Sequence, residues 1–523
     1  MFVATDKPFI AIGALVLMLA GSGRAQEPAA AQPAAEPPPA AEPAPESDAP
    51  AEQVQPPPPV VAPPVLPPPA APPPAPPAET PRSWFARSPL RLEVGEGEQR
   101  WSFTFYGFVE ADIIFDTTRS YDDAIGSSLV ARSDTYDGTV GRSQFSVRNT
   151  RLGFALTAPE LAGVRASALI EADFFGTPAH TPDSGGSSEK NFFDSPVFRL
   201  RQAYLQLQNP YVDVLAGQTY TVFGFQNTYS PCTLEFLGLP NQLFSRAAQL
   251  RLSHDFALGG DLSIDVAAAA VRPAQRDSGV PDAQAGLRFN VHGWKGITTP
   301  GNTGTRAQPL SIAVSATLRQ FKVDAFTPPP TQRSNDATGW GVSIDALIPI
   351  IPAANDDDRG NRLTLTGSFV TGTGIADLIT THGGATFPTL PNPAQANPPP
   401  EYEANIDDGL VTFDPKGVVH TIDWWAMRAG LQYYLPPSGR WILSANYTLG
   451  YSDNMKELYP KGGAEIELLT HVAQRSEYAD LNLMWDATPA VRVGLSGQYT
   501  TVDYLDGDSP HNVRVMAQGL YVF

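Results

Sequence analysis

Cysteine is nearly absent. Cys232 is the one example in 523 residues, so no disulfide can form within the chain and no lipid-bearing cysteine follows the amino-terminal apolar run. Histidine is scarce too: the seven, His180, His254, His292, His382, His420, His471 and His511, show no i, i+4 pair, no metal-ligand spacing and no accompanying Gly-x-Ser-x-Gly elbow. We therefore expect no enzyme, no catalytic residue, no metal and no cofactor. Basic residues are outnumbered, 35 Lys and Arg against 54 Asp and Glu, which argues against a nucleic-acid partner. Long apolar runs are missing apart from one near the start. The longest others, such as Val266 to Val271 and Ala346 to Ala354, fall short of the roughly 20 residues that a spanning helix needs.

The exception lies in residues 1–25. Lys7 precedes an apolar run from Phe9 to Ala20, and small residues follow up to Ala25, the layout of a cleavable secretory signal. Residues 26–100 read as a Pro/Ala-rich disordered extension. Between Glu27 and Pro81 lie 23 of the 53 prolines and seven acidic residues, with no basic or aromatic residue. Such a segment cannot bury enough apolar surface to fold. Extended at roughly 3.1 Å per residue it reaches about 170 Å, long enough for a spacer or for a tether from the barrel to the cell wall through residues 26–81.

From Trp101 onward the period becomes two. Trp101, Phe103, Phe105, Val109, Ala111, Ile113 and Phe115 share one face of the first segment, and Ser102, Thr104, Tyr106, Glu110, Asp112 and Asp116 the other. Its length exceeds the five or six residues usual in a sandwich strand and suits a tilted membrane strand. Similar alternation recurs near 144–157, 163–175, 197–208, 211–220, 247–254, 261–271, 283–291, 310–320, 338–350, 362–372, 418–435, 440–451, 475–486, 490–502 and 512–523. With the first, that makes about 16 strands. The fold class is all-β: a transmembrane antiparallel β-barrel over 101–523, preceded by the extension.

Outer-membrane barrels alternate short periplasmic turns with long external loops. Asp116 to Arg142, Gly176 to Pro196, Thr221 to Arg246 and Gly372 to Gly417 are long; Pro159 to Gly163, Asn209-Pro210, Pro436 to Gly439 and Ala487 to Pro489 are short. His292 to Pro309 breaks the rule and reads as an insertion. The last segment places Val513, Val515, Ala517, Gly519, Tyr521 and Phe523 on one face. In a soluble domain final residues fray, whereas a strand in hydrocarbon must pair to its end. Tyr521 and Phe523 are thus expected at the inner girdle, facing lipid, where the barrel-assembly machinery would meet them. This places the protein in the outer membrane of a Gram-negative bacterium with its extension in the periplasm.

The polar faces must line the lumen, because an Arg or Lys facing mid-bilayer lipid costs about 2 to 4 kcal/mol. One connection, about 221–246, is too apolar for a solvated loop: Phe223-Gly224-Phe225, Leu234-Glu235-Phe236-Leu237 and Pro240 suggest a segment folded into the barrel as a constriction. Arg151, Arg165, Arg201, Arg246 and Arg251 are the candidates for an anion-attracting ladder beside it, with Glu235. The alternative is that these arginines pair with Glu171, Asp173 and Glu235 and line a weakly selective pore.

Gly217-Gln218-Thr219-Tyr220, the stretch Pro231 to Pro240, Gln242-Leu243-Phe244-Ser245-Arg246, Gln249-Leu250-Arg251, Tyr478-Ala479-Asp480-Leu481-Asn482-Leu483 and the terminal Phe523 resemble the DcaP-like trimeric outer-membrane porins. The resemblance covers roughly 101–523. It implies a sixteen-stranded homotrimer in contact with outer-membrane lipids, passing small, often anionic, organic solutes. The Pro/Ala segment departs from that family's helical, coiled-coil extension and leaves open an envelope-tethering role for the barrel.

Overall fold

The computed structural model describes residues 90–523 except 177–193, 195, 274–277, 302, 325–333, 383–405, 407–408, 414–418 and 459–471. The signal and the Pro/Ala stretch lie outside the described residues.

The strands, in chain order, begin with β1 (Leu90–Val94), β2 (Trp101–Asp116), β3 (Arg142–Ser146), β4 (Arg151–Thr157), β5 (Arg165–Gly176), β6 (Val197–Gln208) and β7 (Asp213–Tyr220). They continue with β8 (Arg246–Gly259), β9 (Leu262–Val271), β10 (Asp282–Thr298), β11 (Arg306–Asp324), β12 (Ser334–Ile351) and β13 (Arg362–Thr373). A small hairpin, β14 (Val411–Phe413) and β15 (Val419–Thr421), stands apart. The wall closes with β16 (Asp423–Tyr434), β17 (Trp441–Tyr451), β18 (Ala473–Asp486), β19 (Val491–Tyr504) and β20 (His511–Val522).

Every wall strand pairs antiparallel with its neighbours in sequence, and β20 pairs with β2, which closes a 16-strand barrel. The strands β3 and β4 share one wall position, both lying against β2. Between them residues 147–150 leave the ladder, and this interruption turns Arg148 and Asn149 toward the lumen, as bulges re-aim side chains. Closure satisfies every strand edge, the condition for crossing a bilayer with strands. No helix among the described residues is long and apolar enough to cross a membrane.

The alternation sorts side chains as expected. On β20, Asn512, Arg514, Met516, Gln518 and Leu520 are buried inside, whereas Val513, Val515 and Tyr521 are exposed outside. On β2, Glu110, Asp112, Ile114 and Asp116 are buried and Val109, Ile113 and Phe115 face out. The terminal Phe523 exchanges both backbone hydrogen bonds with Gly107, each 3.1 Å, so the sheet is paired to the last residue. Its ring packs 5.1 Å from that of Phe105.

Three expectations need correction. The extension does not run unstructured to residue 100: Leu90–Val94 pairs with Val94↔Trp101 to Leu90↔Phe105, aligning Leu90, Leu92 and Val94 with the apolar face of β2. The segment 418–435 is broken at Ile422, where β15 gives way to β16. Finally, there is no insertion at 292–309. A bulge between Val291 and Lys295 carries β10 on to Thr298, and β11 starts at Arg306, leaving a turn of residues 299–305. The dyad signal fails there because bulge residues His292, Gly293 and Trp294 shift the register.

Candidate functional site: the lumen and its constriction

Residues 221–245, between β7 and β8, fold into the barrel instead of over it. Val222, Phe223, Tyr229, Cys232, Leu234, Phe236, Leu239 and Leu243 are all buried, which explains the apolar composition. Wall residues satisfy its backbone. Gln284 accepts from Phe223 N at 3.0 Å, Ser315 from Gly224 N at 2.8 Å and Asn482 from Leu234 N at 3.3 Å, while Asn446 donates to Cys232 O at 2.9 Å. A buried loop is tolerable only with such partners. Cys232 is a free, buried thiol in this packing. Near the loop end of the barrel, His382 Nε2 donates a 2.6 Å hydrogen bond to Asn241 Oδ1 and lies against Trp424.

A second segment enters from the end of the barrel at which Trp101 and Phe523 lie. The turn 299–305 is held by Thr299, whose N–H donates to Gln432 Oε1 at 2.9 Å and whose hydroxyl lies 2.7 Å from Tyr434 Oη, both on the inner wall of β16. Gly301 N donates to Pro231 O at 2.8 Å and Thr233 N to Gly301 O at 3.2 Å, so the two in-folded segments meet as a short parallel bridge.

These segments pack against the inner wall from β10 and β11 round to β16, β17 and β18, and a cavity of about 430 Å³ remains against β4–β6. Its lining includes Arg151, Glu171, Arg201, Tyr220, Glu235 and Arg306. A second cavity of about 370 Å³ shares Tyr220 and Asn227 with it and includes Arg251, Arg288 and three aspartates, Asp213, Asp255 and Asp265.

The structure separates the sequence-derived residues into distinct groups. Arg201 is committed: Nε donates to Glu171 Oε1 at 2.8 Å, Nη1 to Asp173 Oδ2 at 2.9 Å and Nη2 to Tyr220 Oη at 3.0 Å. Arg199 holds the other face of Asp173 at 2.6 and 2.9 Å. Arg151 lies 3.9 Å from Glu171 with its guanidinium over Phe108. Three arginines thus surround two carboxylates. Arg246 and Arg251, by contrast, have no ion pair among the described residues. Arg246 lies over the rings of Tyr220 and Phe244, at 5.6 and 5.7 Å, and its buried Nη1 finds no hydrogen-bond acceptor. Arg251 donates to Gln249 Oε1 and to Tyr220 O.

Two expectations shift. Arg165 has the lumen-facing parity but sits at the rim, 59% exposed and 3.6 Å from Glu160, because β5 begins there; it does not join the others. Glu235 lines the cavity yet pairs with Arg514 of β20, at 3.2 Å, not with the arginines of β4–β8. Sequence reading overlooked Arg306, which lines the cavity and donates to Asn227 O at 2.8 Å. The β11 alternation could not have found it: Ser311, Ala313 and Ser315 are buried and Ile312 and Val314 exposed, so the pattern extended backward puts Arg306 with the lipid-facing residues, and only the departure of the hairpin tip from the wall brings it to the cavity.

No protein-family model matches the sequence, and no curated protein matches it. Solved structures do resemble it. The outer-membrane channel DcaP of Acinetobacter baumannii aligns at 18% identity over 81% of this chain and 97% of its own, with a TM-score of 0.53. An anion-selective porin from Comamonas acidovorans aligns at 10% identity over 81% of this chain and 100% of its own, TM-score 0.43. Salmonella typhi OmpF in complex with daunomycin aligns at 10% over 83% and 100%, TM-score 0.45. The first carries the assignment: the barrel has a DcaP-like porin fold.

Proposed function

We propose that this protein is an outer-membrane porin through which small hydrophilic organic solutes, anions in preference, diffuse passively. The observation that carries this reading is the charge balance beside the cavity. The carboxylates Glu171, Asp173 and Glu235 are ion-paired with Arg199, Arg201 and Arg514, the last shared with Asp116, whereas Arg246, stacked on Tyr220 and Phe244, has no ion pair among the described residues, nor has Arg251, which stands with Arg288 among the three aspartates of the second cavity. Fixed cations in a narrow, protein-walled passage raise the local concentration of anions, since the surrounding dielectric is low and screening weak.

The apolar exterior and polar interior fit a bilayer, and the fold supports the outer membrane of a Gram-negative bacterium. In this reading both termini are periplasmic, lipids cover the outer wall, and Tyr521 and Phe523 serve the barrel-assembly machinery. Resemblance to DcaP-like porins supports a homotrimer. The 26–81 segment acts as a periplasmic spacer within reach of the cell wall.

Planar-bilayer recording on the purified protein tests this. Conductance that closes in three steps, with an anion/cation permeability ratio that falls in Arg246→Ala and Arg251→Ala, is expected. A protein that conducts nothing overturns the porin reading, and an unchanged ratio overturns the role of the arginines.

A further inference from the structure

We infer that the turn between β10 and β11 is a second half of the constriction, joined to the inward loop, with Gly304 setting its width and Arg306 its charge on the side facing Trp101 and Phe523. The inference rests on the porin reading and goes beyond it, because a loop folded in from one end alone would leave selection to the loop and the wall arginines.

The observations concern both how the turn is held and what it leaves open. The bulge at His292 to Trp294 lets the tip of the β10–β11 hairpin depart from the cylinder. Gly296 then passes so close to the neighbouring wall that a Cβ there would lie 2.7 Å from Thr364 Oγ1 and 3.1 Å from Pro349 Cγ. A side chain here would have to displace Thr364 or Pro349. Ile297 is fully buried in the same apolar cluster as Leu234 and Phe236 of the inward loop. Gly301 makes the sharp reversal at φ +61°, the left-handed region that favours glycine. Thr305 Oγ1 receives Arg492 Nη2 at 3.1 Å, which ties the far side of the turn to β19. Thr299, Gly301 and Thr305 thus tie the described residues of the turn to the wall and to the inward loop.

What it presents to the cavity is Pro300, Gly301, Thr303, Gly304, Thr305 and Arg306. A Cβ built on Gly304 meets nothing within 4 Å, and its backbone φ is not in the left-handed region. A side chain at 304 therefore enters open cavity without strain. Arg306 lines the same cavity as Arg151 and Arg201 and has no ion pair among the described residues. A solute that passes the wall arginines thus also meets a cation carried at the end of the turn. Small hydrated anions fit such a field better than neutral or cationic solutes of equal size.

Gly304→Trp and Gly304→Cys test the turn, and Arg306→Ala tests its charge. Folding of each is checked by heat-modifiable gel mobility, and the cysteine variant, with its small side chain, guards against a misfolded tryptophan variant. Gly304→Trp is expected to lower single-channel conductance by at least roughly twofold, since an aromatic side chain occupies much of the passage. In bilayers, Gly304→Cys is expected to react with methanethiosulfonate reagents, faster with the anionic ethylsulfonate than with the cationic trimethylammonium form, while the buried Cys232 of the wild type stays silent. Adding Arg306→Ala should reduce that rate ratio. Wild-type conductance with an unaffected Gly304→Trp channel overturns this inference and leaves the porin reading standing. Should the wild type prove non-conducting, failure of both reagents to label Gly304→Cys overturns the placement of the turn on a water path.

Discussion

Glu235 of the inward loop lies 3.2 Å from Arg514 of the last strand, and neither side chain retains exposed surface. Arg514 also holds Asp116 at 2.9 and 3.0 Å. One arginine thus joins the first wall strand, the last wall strand and the constriction. Replacing Glu235 with Ala removes one partner of a buried pair, which typically costs about 3 to 5 kcal/mol. We expect Glu235→Ala to form a barrel whose inward loop is loosened, seen as noisy, enlarged conductance and a lower unfolding midpoint.

Leu234 fills the space above Gly494, where a Cβ would approach its methyl carbon at 2.8 Å, and is fully buried. Leu234→Ala should cost about 2 to 5 kcal/mol, the usual range for a core cavity. Hydrogen exchange would reveal the loss as faster exchange of the 231–240 amides while the wall strands stay protected. Uniform deprotection would mean that the loop and the wall unfold together.

Arg201 and Arg246 should respond differently to truncation. Arg201→Ala strands Glu171 and Asp173 beside fewer cations, so it is expected to lower both stability and anion preference. Arg246→Ala removes a cation stacked on two rings and paired with no carboxylate among the described residues, so selectivity should fall with little loss of stability. Reversal potentials in a salt gradient, read beside thermal unfolding, separate the two.

Outside the wall, Arg132 of the 117–141 loop donates to Asp506 of the 505–510 loop at 2.6 and 3.1 Å. This bond holds the Asp506 carboxyl below the usual carboxylate range. A depressed carboxylate contributes stability above its unfolded pKa, and that contribution is lost as pH falls through the folded value. Acid should therefore release these two loops from each other. Limited proteolysis of residues 117–141 at falling pH should show faster cleavage, and Asp506→Asn should be cleaved readily already at neutral pH.

Burial lowers the His382 imidazole to about 3. Its neutral form is favoured in the folded state, so the stability it lends is complete above its ordinary value of 6.5 and declines as pH drops toward 3. Amides of 374–382 should exchange faster across that interval. His382→Gln, which keeps a hydrogen-bonding group for Asn241, should flatten the dependence.

Much of the wall was legible because its physics is local. Alternation in 512–523 or 441–451 follows from each residue facing either lipid or lumen, and two neighbours in sequence cannot share a face. The apolar run around Leu234-Glu235-Phe236 likewise announced burial, since its composition suits no solvated loop. Legibility failed where the backbone leaves the pleat. The bulge at His292 to Trp294 turned two long strands and an in-folded turn into an apparent insertion, and Arg306 was lost with them. Arg165 was misplaced for another reason: parity fixes the face of a residue but not its depth along the barrel axis.

Read along the chain alone, an all-β barrel of about sixteen strands, closed on Phe523, with a loop folded inward and arginines facing the lumen, already follows. Period-two patterning and the cost of charge in lipid leave little freedom in those matters. Which arginines are spent on carboxylates, and which have no ion pair among the described residues, emerges from the folded barrel. Arg201 and Arg246 look alike in the chain. One meets Glu171 and Asp173 across a strand register, the other meets two aromatic rings, and such partners are chosen by the closure of the wall and by where the in-folded segments come to rest.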